Sequence, residues 1–170
     1  MTFSTVAATG NQVPATQEVS ITVEVVDQFS VQTPARIQIT FQNTSERSRE
    51  FLLGPDVPFG PLTGTSEIGA QLHAISDTRY YDSIMPPQPL DGCWKLAGEY
   101  GIPDRGVIWQ ANPHEEQTQT YVLLNEPKNE RCLSSGVYRF EGTWGERYST
   151  GRDDYFSWEF EVSLDRRDGR

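Results

Sequence analysis

The chain has 170 residues, enough for one domain with a sizeable core, and its hydrophobic fraction of 36% includes an aromatic content of 11%, so large rings supply much of the buried area. Its 24 acidic against 14 basic residues give a net charge of -10, which repels phosphate backbones and argues against nucleic acid or an anionic membrane as the main partner. No run approaches the roughly 18 apolar residues of a membrane-spanning helix, so no transmembrane segment is expected.

Residues 1–17 read as a flexible spacer, a Thr/Ala/Gly/Pro-rich run up to Thr16 of the kind that follows a cleaved leader. They contain neither a basic start nor a continuous apolar region, so two locations stay open: extracytoplasmic or cell-surface if a leader has been removed, otherwise cytoplasmic. A single β-sandwich domain is expected over 18–165, with a charged tail at 166–170 that frays.

Val19, Ile21, Val23 and Val25 alternate with polar residues, as do Ala35, Ile37, Ile39 and Phe41, which predicts two half-buried strands joined through Pro34. Asn43-Thr44-Ser45 closes the second strand as a turn and also fits a glycosylation acceptor. From Phe51 to Gly69 the chain is dense in Gly and Pro, so a loop folded over one end of the sandwich is expected. Ala70 to Ser76 reads as a short strand, followed by Tyr80-Tyr81. Met85-Pro86-Pro87-Gln88-Pro89 is then either a stiff connector or a polyproline II ligand.

Trp94 to Leu96 and Val107 to Gln110 are short strand candidates flanking a turn region at Gly98 to Gly106. Thr118 to Asn125 is apolar on both sides, as in a strand covered on both faces. In Val137 to Trp144, Tyr138, Phe140 and Trp144 oppose Arg139, Glu141 and Thr143, with Gly142 expected to form a bulge. The last strand, Tyr155 to Leu164, places Phe156, Trp158, Phe160, Val162 and Leu164 on one face. Phe41, Tyr138, Phe140, Trp144, Trp158 and Phe160 are the predicted core. The expected fold is all-β, an immunoglobulin-like antiparallel sandwich of seven to nine strands without an amphipathic helix.

Cys93 and Cys132, the only cysteines, are expected to form one disulfide, two separate thiols being the other reading. Together with His73 and His114 they lack the close pairing of a structural zinc site, so no metal and no cofactor are expected. No nucleophile elbow, phosphate-binding loop or dinucleotide fingerprint occurs, and no catalytic residue is assigned. Glu115-Glu116 and Asp153-Asp154 read as solvated charge. Tyr80, Tyr81 and Trp109 are candidate binding aromatics, able to stack on a sugar or anchor a protein.

Phe41-Gln42-Asn43-Thr44-Ser45, the Gly/Pro-rich middle, the turn at 112–117 leading into Tyr121-Val122-Leu123-Leu124, and Gly136-Val137-Tyr138-Arg139-Phe140 together resemble the immunoglobulin-like domain of intracellular proteinase inhibitors. They are similar also to immunoglobulin-like surface proteins of halophilic archaea, and the acidic, Arg-rich, Lys-poor composition resembles that of proteins from salt-rich settings. The long Phe51–Gly69 loop and the cysteine pair depart from the inhibitor pattern. The resemblance implies a fold and no catalytic residues. The expected function is a noncatalytic structural or protein-binding module at the cell surface, with an unknown protein partner. The alternatives are a proteinase inhibitor acting through an exposed loop within Phe51 to Gly69 or Ile84 to Leu90, and a carbohydrate-binding module using Tyr80, Tyr81 and Trp109.

Overall fold

The computed structural model describes residues 3–103 and 106–166. Ten strands follow one another: β1 (Thr5–Gly10), β2 (Val19–Asp27), β3 (Arg36–Asn43), β4 (Arg49–Leu53), β5 (Leu62–Thr65), β6 (Gln71–Ser76), β7 (Val107–Ala111), β8 (Glu116–Asn125), β9 (Gly136–Arg147) and β10 (Asp153–Asp165). The helical content of the described residues is two short 3-10 turns, Ala15–Gln17 and Arg79–Ile84.

All ladders between these strands are antiparallel, and they run in the order β1-β10-β9-β5-β6-β8-β3-β2, with β4 set between β9 and β7. The end strands β1 and β2 lie side by side without a ladder, so the sheet nearly closes into a barrel. An all-β antiparallel fold is thus present, with ten strands where seven to nine were expected. The additional strands lie where local composition hides them.

One of these is β1, inside the segment read as a flexible spacer, which corrects that reading for Thr5–Gly10. Its pairing runs from Thr5 opposite Asp165 to Gly10 opposite Phe160. Backbone hydrogen bonds need no particular side chain, and the edge of β10 supplies the partner that β1's small residues do not advertise. Val6 is buried in the core, and Gly10 is small because a Cβ there would stand 2.6 Å from the Trp158 ring. Likewise β4 and β5 occupy the two ends of the Gly/Pro-rich segment, whose centre folds Pro58, Phe59, Gly60 and Pro61 into the interior. Trp94–Leu96 makes only an isolated bridge, Lys95 opposite Asn125, instead of a strand. Of the charged tail, Arg166 donates its backbone N–H to Ser135 Oγ, and 167–170 lie outside the described residues.

The expected bulge at Gly142 is absent. The β9–β10 ladder keeps its register from Arg147 opposite Asp153 to Gly136 opposite Leu164, with Gly142 facing Trp158. A Cβ on Gly142 would come within 2.9 Å of the Phe59 ring. The glycine therefore makes room for Phe59, which stacks on Trp158 with centroids 5.9 Å apart. The register shift lies instead at Val25/Asp27 of β2.

Phe41, Tyr138, Phe140, Trp144, Trp158 and Phe160 are all buried. Phe41 meets Phe51 and Trp144 edge-on at 5.0 and 5.3 Å, and Phe140 stacks on Phe160 at 4.7 Å, geometries that add about 0.5–1.5 kcal/mol per pair beyond area burial. Asn43 is fully buried. Its Nδ2 donates to the carbonyls of Arg47 and Asn112, and its Oδ1 accepts from the Ser45 N–H and hydroxyl. That is the turn reading of Asn43-Thr44-Ser45, with the amide nitrogen already engaged. Cys93 and Cys132 are joined, their Cα atoms 5.8 Å apart. Beside the bridge, Trp94 is buried and its Nε1–H donates to the Ser30 carbonyl at 2.6 Å.

Candidate functional site

Strand β7 pairs with β4 alone among the described residues, which leaves one edge of its backbone without a ladder. Val107-Ile108-Trp109-Gln110-Ala111 carries no charge and no proline, and its register with β4 is unbroken. It therefore lacks the usual devices that keep an edge strand from pairing. Trp109 turns onto Phe51, at 5.7 Å, and Phe41, at 6.1 Å. The alternation of the strand then directs Ile108 outward, 55% exposed. With Leu52 of β4 and Tyr155 of β10, itself 70% exposed, Ile108 lines a shallow groove of about 310 Å³. Tyr155 lies against Gly145, where a Cβ would stand 2.9 Å from its ring.

The inward row of the neighbouring strands carries a charge pair. Arg49 begins the β4 series Arg49, Phe51, Leu53, and Glu146 ends the β9 series Tyr138, Phe140, Gly142, Trp144, Glu146. Arg49 Nε and Nη2 donate to Glu146 Oε2 and Oε1 at 2.8 and 2.7 Å. Its remaining N–H groups donate to the carbonyls of Gln17 and Glu18 and to Asn43 Oδ1. All five guanidinium donors are thereby used. The pair fastens β4 and β9 to the turn that precedes β2. The sequence reading missed the pair because it assigned no strand at Arg49 and ended the later strand at Trp144, two residues short of Glu146.

Tyr80, Tyr81 and Trp109 do not share a face. In the turn Arg79–Ile84, Tyr81 and Ile84 are the buried residues, since positions three apart in a 3-10 turn eclipse one another. Tyr81 is thus buried, Trp109 is partly buried against Phe41 and Phe51, and Tyr80 alone of the three is exposed. Within Phe51 to Gly69, the large apolar side chain that reaches solvent is Ile68, in the turn where the Gly69 N–H donates to the Ser66 carbonyl. In Ile84 to Leu90 the residues Ile84 and Pro86 are buried.

The acidic pairs take ordinary surface roles. Asp153 receives Arg147 Nε at 3.0 Å, and this guanidinium holds the Asp153 carboxyl below its usual range. Asp154 receives Arg152 at 2.9 Å, and the Glu115 carboxylate accepts the Asn112 N–H. His114 is exposed beside Glu46. No group of three His, Cys, Asp or Glu side chains suited to a metal occurs among the described residues.

His73 has a more organised setting. It is buried on β6, with Nε2 2.7 Å from Glu126 Oε2, and Nδ1 2.9 Å from the Tyr100 hydroxyl and 3.1 Å from the Thr63 hydroxyl. These partners come from the end of β8, from the 97–103 segment and from β5, and burial pushes the Tyr100 phenol up. The sequence marks His73 as one of two histidines but does not show its partners, 53 and 27 residues away. No helix among the described residues is long and apolar enough to cross a membrane. No protein-family model, curated protein or solved structure matches the chain.

Proposed function

We propose that this protein is a noncatalytic immunoglobulin-like β-sandwich that serves as a structural, protein-binding module at the cell surface, and that it associates with a second copy of itself through the β7 edge. The observation that carries the reading is the uncharged strand Val107–Ala111, paired with β4 on one edge and without a ladder on the other among the described residues, beside the exposed side chains of Ile108 and Tyr155. An open edge offers alternating donors and acceptors that an antiparallel copy satisfies about a twofold axis, using the same surface on both chains. Charge favours this face. Glu141, Glu159 and Glu161 carry part of the acidic excess on the solvent side of β9 and β10, where two chains of net charge -10 repel. The Cys93–Cys132 bridge supports an oxidising compartment. The lack of nucleophile and phosphate-binding motifs in the sequence supports a noncatalytic role.

Sedimentation equilibrium across the micromolar range tests the reading. The expected result is a reversible dimer that Ile108→Lys converts to a monomer with unchanged circular dichroism. A wild-type protein that stays monomeric throughout removes the proposal.

A further inference from the structure

The His73 cluster borders a cavity of about 530 Å³ that the β7 reading does not use. Its lining includes Leu96, Tyr100, Glu126 and Pro127, with the exposed Lys128. An ionised carboxylate only accepts hydrogen bonds, so Glu126 Oε2 accepts from His73 Nε2, while Nδ1 lies within hydrogen-bond distance of the Tyr100 and Thr63 hydroxyls. His73 thereby holds Glu126 in one orientation through Oε2. Among the described residues His73 is the one side-chain partner of this carboxylate, whose side chain is 17% exposed. Oε1 is left as an acceptor without a hydrogen-bond partner among the described residues, on a side chain that is itself partly withdrawn from water.

We infer that the cavity binds a small primary amine as its ammonium ion. Its N–H groups donate to Glu126 Oε1, and its alkyl stem lies along Leu96, Pro127 and the Tyr100 ring. A charge-assisted hydrogen bond in a partly desolvated site is stronger than its neutral counterpart, and the surrounding net charge of -10 raises the local concentration of cations. Lys128, the one ammonium in the cavity lining, is exposed and outside any ion pair among the described residues. Its positive charge repels a bound ammonium, so its removal favours binding.

The test titrates the wild-type protein with n-butylammonium chloride at constant ionic strength, and in parallel with n-butanol, following backbone amide shifts by NMR. The amine is expected to give saturable shifts at Gly98, Glu126 and Lys128 with a dissociation constant of about 1 mM, the scale for a few-atom ligand, while the alcohol gives none. Glu126→Gln is expected to weaken binding roughly tenfold or more, and Lys128→Ala to tighten it a few-fold. Non-saturating shifts with the amine, an equal response to butanol, or undiminished binding by folded Glu126→Gln each overturn the inference. Should Glu126→Gln fail to fold, the contrast between amine and alcohol on the wild-type protein decides it.

Discussion

Arg49→Ala is the substitution expected to test the architecture most severely. The guanidinium and the Glu146 carboxylate are almost wholly buried, with side-chain exposures of 3% and 6%. Truncation leaves Glu146 as an uncompensated charge and removes the donors from the Gln17 and Glu18 carbonyls. Breaking a buried, hydrogen-bonded pair from one side costs about 3–5 kcal/mol, a large part of the roughly 5–15 kcal/mol that holds a domain folded. Equilibrium unfolding in urea, followed by tryptophan fluorescence with the disulfide intact, measures it. The double variant Arg49→Met/Glu146→Leu removes both charges and is expected to lose less than Arg49→Ala alone, by at least about 1 kcal/mol. A loss below about 1 kcal/mol for Arg49→Ala, outside the range for a broken buried pair, would refute the assignment of this residue as the fastener of β4, β9 and the N-terminal turn.

Gly142→Ala places a methyl group against the Phe59 ring and is expected to cost about 1–3 kcal/mol through overpacking; Gly142→Ala/Phe59→Leu, measured the same way, should recover part of it. Replacing Cys93 and Cys132 by alanine frees a closure spanning 39 residues, and the chain-entropy relation gives a loss of about 4 kcal/mol, readable from the urea midpoint. Burial pushes the Tyr121 and Tyr138 phenols up, and for Tyr81 burial is reinforced by the Asp56 carboxylate. The unfolded chain therefore releases these protons first. Their contribution to stability is complete below a pH of about 10 and declines as pH rises toward the raised folded values. Alkaline absorbance titration should show late-ionising tyrosines that titrate together as the protein unfolds, and a titration complete at the free-tyrosine value in folded protein would contradict it.

The strands with clean alternation were legible because one dry face writes period two directly into the residues, as in Trp158, Phe160, Val162 and Leu164 of β10. The inward face of β9 was equally visible, yet the meaning of Gly142 was not, because it depends on Phe59 arriving from a loop more than eighty residues earlier. Strand β1 escaped notice because its partner lies at the other end of the chain, and β4 and β5 because Gly and Pro surround them. Of the candidate binding groups, Tyr81 and Trp109 read as aromatics in or next to loops. Their burial follows from the eclipsed geometry of one short turn and from the aromatic cluster on β3 and β4. His73 and Glu126 become a site only when β6 and β8 are laid side by side.

Because Thr5–Gly10 hydrogen-bonds to Phe160–Asp165, β1 is made about 150 residues before the strand it docks on. Until β10 has been made, β1 has no edge to join, and Trp158 is not yet present to rest on Gly10. Such long-range closure slows folding and prolongs the exposure of unsatisfied strands. Deleting the first ten residues should therefore leave a product that emerges sooner in compact form but carries a bare β10 flank, trading a delay in maturation for a lasting tendency to aggregate.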